Sequence, residues 1–244
     1  MDPQRDAVEG SPSRPATVLV LAGGEATHPD VVLPTADLVV AADSGAEVAR
    51  RLGLGVDVLV GDLDSVAAET LAALREGGAE VVRHHRDKDA TDLELALDLA
   101  TAGDPDHLVL VGGHGGRLDH ALATPGALAT VARPGRRVEA WLGRASVQAT
   151  RDAVRVDGRP GELVSLLPWA GAARGVTTDG LRWALRDFTL DPGSTRGVSN
   201  EVATAPARVA LSEGTLLVVR PHALDPAADV RPPVPDRPAP GARS

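Results

Sequence analysis

The 244 residues include no cysteine and no tyrosine, one phenylalanine, one methionine and three tryptophans. Without cysteine there are no disulfides and no thiolate zinc site, and a reducing compartment is permitted. No apolar run approaches the roughly 20 residues needed to cross a bilayer. The amino terminus, Met1-Asp2-Pro3-Gln4-Arg5-Asp6, has no basic-then-apolar signal pattern. Positive charge is scarce too. Lysine and arginine number 25 against 34 carboxylates, a formal charge of -9, which argues against the basic face that nucleic acid or an anionic membrane requires. Lys88 is the only lysine and lies in an acidic, polar segment. These absences predict a soluble, cytoplasmic protein with one large domain or two ordinary ones.

What is present begins with Val56-Asp57-Val58-Leu59-Val60-Gly61-Asp62-Leu63-Asp64-Ser65. A short apolar strand runs into a glycine, then two carboxylates one residue apart, then a serine. Around it the first half alternates strand and helix. Strands are expected at 17–21, 37–42, 79–82 and 107–111, and helices at 67–76 and about 92–102. Such a βαβα rhythm predicts a mostly parallel, Rossmann-like sheet with helices on both faces. Beyond Leu142-Gly143-Arg144 the helical period disappears. Short alternating runs such as 162–167, 180–185, 208–211 and 215–219 predict an antiparallel sandwich or barrel. The expected organisation is therefore a disordered segment 1–15, an α/β domain 16–143, an all-β domain 144–220 and a disordered proline-rich tail 221–244.

Acidic residues recur after successive strands: Asp43, the pair Asp62 and Asp64, Asp92 and Asp119. In a parallel sheet these loops share one edge, where ligands bind. An Asp at a helix start is also a natural cap. Several on one edge repel one another unless a cation compensates, and Mg²⁺ held by carboxylates and substrate phosphates is the natural choice. The glycine-rich stretch Gly112-Gly113-His114-Gly115-Gly116 adds backbone N–H groups that suit phosphate oxygens, and Arg117 could clamp a phosphate. His114 and His120 lack a third zinc-type partner at suitable spacing, so a hydrogen-bonding role fits them better.

The stretches Asp43-Ser44-Gly45-Ala46, Gly61-Asp62-Leu63-Asp64-Ser65, Lys88-Asp89-Ala90-Thr91-Asp92-Leu93-Glu94 and Gly116-Arg117-Leu118-Asp119-His120 resemble, in order and spacing, the motifs of thiamine pyrophosphokinases. Gly180-Leu181-Arg182-Trp183-Ala184-Leu185 and Ser199-Asn200 resemble that family's thiamine-side motifs. The resemblance spans roughly residues 17–220. It implies an ATP-binding α/β domain, a thiamine-binding β-sandwich, and a homodimer with active sites between subunits. The implied reaction passes the diphosphate of ATP to the thiamine hydroxyl, giving thiamine diphosphate and AMP. Asp62, Asp64 and Asp92 would hold Mg²⁺. Asp43, Gly45, Lys88, Gly116, Arg117, Asp119 and His120 would line the nucleotide and phosphate side. Trp183, Ser199 and Asn200 would face thiamine. The chain departs from the pattern at Thr124-Pro125, where relatives often carry Asn, and at Ser44, where Gly is commoner. Rival readings are a pyrophosphokinase for another hydroxymethyl heterocycle, such as a pterin, and a non-catalytic thiamine or nucleotide sensor.

Overall fold

The computed structural model describes residues 16–25, 27–85 and 89–226. Its first six strands are β1 (Thr17–Ala22), β2 (Leu38–Ala42), β3 (Val58–Gly61), β4 (Glu80–Arg83), β5 (His107–Val111) and β6 (Arg137–Leu142). They pair in parallel in the order β6-β5-β1-β2-β3-β4. Their near-continuous apolar character follows from burial on both faces. Val18, Val20, Val40, Val60, Leu108 and Leu110 share a core with α3 (Asp92–Ala102) and α4 (Leu118–Val131). Leu19, Leu21, Ala41, Leu59, Val109 and Val111 pack with α1 (Gly45–Leu52), and α2 (Ala68–Glu76) covers the same side. From β1 the chain steps outward to β4, then returns to lay β5 on the other flank of β1. The direction of winding thus reverses between β1 and β5, the position at which open α/β sheets form a ligand crevice.

The sheet does not end at residue 143. Gly143, at φ +63°, and Arg144 form a two-residue turn into β7 (Ala145–Thr150), which pairs antiparallel with β6. Positive φ is what tight hairpin turns of this length call for. Three more strands follow outward from β7: β14 (Leu216–Arg220), β9 (Leu163–Pro168) and β12 (Asn200–Glu201), making ten in all. No described helix follows residue 131, yet β7 still lends Val147 and Ala149 to the core of α3 and α4. A second, four-stranded antiparallel sheet runs β11 (Phe188–Leu190), β10 (Ala173–Asp179), β13 (Ala207–Ala210), β8 (Ala153–Val156). Its Val156, Ala173, Val176, Leu190 and Val209 share a core with Val164, Leu166, Leu216 and Val218 of the long sheet. β14 serves both interiors, since Leu217 between them points into the core of α3 and α4.

Two local expectations change. Gly180–Leu185 is not a strand but a bend, joined to the strands by a bridge between Leu181 and Val202 and by hydrogen bonds from Arg182 N–H to Glu201 O and from Thr178 N–H to Leu185 O. The Thr178 hydroxyl accepts from the Leu185 N–H at 2.8 Å and closes the bend from below. Residues 221–226 remain tied down: Arg159 Nη2 donates to the Asp225 carbonyl at 2.8 Å, and Arg144 pairs with the Asp225 carboxylate at 3.2 Å. The expectations for 1–15 and for the tail beyond 226 lie outside the described residues. No described helix is long and apolar enough to cross a membrane.

Candidate functional site

The carboxyl ends of β2 and β3 and the amino end of α3 converge on three carboxylates. Asp43, Asp62 and Asp92 each place an oxygen within 4.8 Å of the others, and all three are partly buried. Asp43 stands just past β2 with φ +42°, its N–H donating to Val60 O at 2.8 Å. That left-handed turn, which Asp tolerates better than most residues, aims its side chain across the end of β3. Asp92 opens α3 behind Thr91, whose hydroxyl caps the helix by accepting from Glu94 N–H at 3.2 Å.

Gly61 makes the cluster possible. A Cβ there would stand 3.1 Å from both Asp43 Cβ and Asp92 Oδ1, filling the cradle. Asp43 Oδ1 is buried with no hydrogen-bond partner. Burial raises the Asp43 carboxyl above its ordinary range, Asp92 and Asp62 push the same way, and the Ser65 hydroxyl and Ser44 N–H partly oppose them. An orphaned anionic oxygen, an open cradle and an all-oxygen donor set fit a hard divalent cation. Asp64 does not join this trio. Its N–H donates to Asp62 Oδ1 at 3.1 Å, and its exposed side chain accepts from the Ser65 hydroxyl at 2.9 Å. Residues two apart on an extended strand share a face, but Leu63 between them, at φ +66°, breaks the extended run, and Asp64 leaves the side of Asp62.

Beside the cradle, two glycine-bearing loops pack together at the β1/β5 reversal. Gly113 N–H donates to Gly23 O at 2.8 Å, and Glu25 N–H to His114 O at 3.0 Å. Thr124, met in the sequence only as a departure from a motif, anchors this loop: its hydroxyl lies 2.8 Å from Gly113 O and 3.0 Å from His120 O. It also precedes Pro125 inside α4, where a backbone N–H is missing. Ser44 has room because Gly23 faces it, and Gly45 is buried because a Cβ would strike Leu21 O of β1. Burial holds the His114 imidazole below its usual pKa, against the opposing charge of Glu25.

Gly116, Arg117, Asp119 and His120 lie exposed at the entrance to α4. Arg117 and Asp119 are paired at 2.6 Å, and that hydrogen bond draws the Asp119 carboxyl down to about 2. Lys88 lies outside the described residues.

The remaining sequence candidates gather elsewhere. Asn200, the only asparagine, is buried, and its carboxamide grips the Trp183 backbone twice. Its Oδ1 accepts from Trp183 N–H at 3.1 Å and its Nδ2 donates to Trp183 O at 2.8 Å. The bend so held throws the Trp183 ring outward, 53% exposed, with the Arg182 guanidinium 5.1 Å from its centre. Ser199, at φ +59°, is exposed beside it. β12, which begins at Asn200, is seven strand intervals from β2 in the sheet order, or roughly 30 Å at the usual strand spacing.

Residues 30–140 match the family model for the thiamin pyrophosphokinase catalytic domain, and 153–216 match that family's vitamin B1 binding domain. The chain belongs to the thiamine pyrophosphokinase family. Among its relatives, thiamine pyrophosphokinase from Bacillus subtilis is 24% identical over 84% of this chain and 98% of its own length. Thiamine pyrophosphokinase 1 from Oryza sativa is 26% identical over 65% of this chain and 64% of its own. The Bacillus subtilis crystal structure superposes with a TM-score of 0.72 at 24% identity, again over 84% and 98% of the two chains. That of the Geobacillus thermodenitrificans thiamin pyrophosphokinase gives 0.66 at 27% identity, over 84% and 96%.

Proposed function

We propose that this chain is a Mg²⁺-dependent diphosphotransferase that passes the β,γ-diphosphoryl group of ATP to the hydroxyl of thiamine, giving thiamine diphosphate and AMP. The observation that carries the reading is the Asp43–Asp62–Asp92 cradle around Gly61, within a chain whose two parts match the catalytic and vitamin B1 binding models of one family. Those three carboxylates would hold Mg²⁺, with Asp64 exposed at the rim. When bound, the metal neutralises charge on the phosphate chain.

The chain's own residues supply positioning, which transfers of this kind need more than a strong base. Gly112 and Gly113 N–H already serve Trp141 O and Gly23 O, so it is the end of the glycine loop at Gly116 and the first turn of α4 that would receive anionic oxygens. Arg117, exposed and paired with Asp119 two positions on, can exchange that carboxylate for a phosphate, with His120 exposed at the same helix entrance, and the motif resemblance adds Lys88 as a further candidate cation for the phosphates. Trp183 offers an aromatic face to the cationic thiamine ring, an attraction of about 0.5–2 kcal/mol. Asn200 presents that ring by clamping its backbone, and Ser199 stands at the same rim. Because β12 and β2 are so far apart in one sheet, an active site formed between two copies of the chain suits this division. In this reading the chain works as a homodimer in the cytoplasm, with the Rossmann-like part of one copy facing the β-sandwich part of the other.

A ³¹P NMR time course with ATP, Mg²⁺ and thiamine tests the reaction. AMP and a diphosphate ester should appear without ADP, and Asp62→Asn should abolish both while leaving the melting temperature within a few degrees. ADP as the product, or near-normal turnover in the variant, would sink the reading.

A further inference from the structure

The base of the glycine loop is fixed by the bonds from Gly112 and Gly113 N–H to Trp141 O and Gly23 O. Its far end, where Arg117 leads into the first turn of α4, is held less firmly. Pro125 has no N–H to give Ala121 O, so this turn is joined to the body of the helix by one backbone bond fewer than usual. Burial does not secure it either, since Leu118 and Leu122 are 72% and 62% exposed.

Thr124 stands between the firm base and the loose turn. It is 1% exposed, and its hydroxyl reaches Gly113 O on one side at 2.8 Å and His120 O on the other at 3.0 Å. A hydroxyl has a single proton, so the two carbonyls share it, and one side chain ties both ends of the loop together. Its methyl group lies against the same glycine: a Cβ on Gly113 would come within 3.2 Å of it. Gly113, Gly115 and Gly116, across the span so tied, all hold positive φ, and glycine loses more freedom on ordering than any other residue. A tie across such a loop removes disorder that a bound anion would otherwise have to remove itself.

We infer that Thr124 is a positioning residue for the phosphate chain: its hydroxyl holds the first turn of α4, with Arg117 and His120, in place over the glycine loop and so sets the affinity for polyphosphate without touching it. The inference rests on the diphosphotransferase reading, which puts anionic oxygens at Gly116 and that turn, but its test needs no turnover. Calorimetry of the full chain with Mg²⁺, thiamine absent, uses ATP and inorganic tripolyphosphate as probes. Thr124→Val, which keeps the shape and removes the hydroxyl, should weaken both by about fivefold, the effect of one lost hydrogen bond. Thr124→Ser, which keeps the hydroxyl and removes a buried methyl, should bind both within about twofold of wild type, although it too should melt lower. A threonine that served packing alone would show no such contrast. Where Thr124→Val does not fold, Thr124→Ala should bind both probes about fivefold more weakly than Thr124→Ser, which isolates the hydroxyl in the same way. Affinities in Thr124→Val equal to wild type, or in Thr124→Ser as weak as in Thr124→Val, would overturn the assignment. A wild type that binds neither probe would overturn it together with the placement of the phosphates. A chain that shows the contrast yet releases no AMP fails only the reading of the reaction, and one that releases AMP without the contrast fails only this inference.

Discussion

Asp43 bears the strain of the acidic cradle twice, in a left-handed backbone and in a buried carboxylate facing two others. Burial first, then Asp92 and Asp62, raise its folded-state pKa above the ordinary value of 3.8. The fold therefore favours the protonated form and loses stability as pH rises through the raised value, so that at neutral pH the ionised side chain is a net cost. Asn keeps the shape, removes the charge and tolerates the same φ. Asp43→Asn should accordingly melt above wild type at pH 7 without metal, by roughly 2–4 °C for each kcal/mol of repulsion relieved. Added Mg²⁺ should raise the wild-type melting temperature and barely move that of the variant, whose diphosphoryl transfer should be lost. Differential scanning fluorimetry with and without Mg²⁺ measures both, and a variant that melts lower would refute the electrostatic account.

Among the elements, β5 and β6 are joined by a side-chain contact as well as by their ladder. His107 Nε2 stands 2.8 Å from Glu139 Oε1, and Arg137 Nη2 donates to Glu139 Oε2 at 2.8 Å. Burial alone would raise the Glu139 carboxyl, but His107 and Arg137 outweigh it and hold it below its ordinary value of 4.5. Its contribution to stability is complete above that value and fades as pH falls through the depressed one. Glu139→Gln should lower the melting temperature at pH 7 yet flatten its fall between about pH 5 and pH 3. Melting curves across that range decide it, and parallel curves for the two proteins would remove the role of Glu139.

Elements with local signals were legible in the sequence. α3 begins at Asp92, behind the capping Thr91, and β5 is the apolar run between Asp106 and Gly112. What was hidden depends on distant partners. No local pattern says that β14 pairs with β7 on one side and β9 on the other. Nor does the spacing of Asp62 and Asp64 reveal that Asp43 rather than Asp64 completes the trio, because the backbone turn at Asp43 decides that. The run Leu181, Trp183, Leu185 imitates a strand's period of two, yet the outer pair is buried while the tryptophan between them faces outward.

For the whole molecule, the separation of the acidic cradle from Trp183 makes a composite site between two copies testable by complementation. At limiting thiamine, inactive Asp62→Asn chains and weakened Trp183→Ala chains should together exceed the sum of their separate activities when unfolded together and refolded as a mixture. Random pairing of two-fold dimers gives half mixed dimers with one intact site each, about a quarter of wild-type turnover. No recovery, with mixed dimers shown to form, would place both halves of the site within one chain.

The strand that serves both interiors is also, among the described strands, the last to leave the ribosome. Until Leu216, Leu217 and Val218 have emerged, neither core can close, since one awaits the middle residue and the other its two neighbours. Contacts this distant in sequence form slowly and leave apolar surface uncovered meanwhile. Both halves therefore wait on residues 216–218, and truncation just before residue 216 should send a newborn chain to chaperones and proteases rather than yield a shortened, working amino-terminal half.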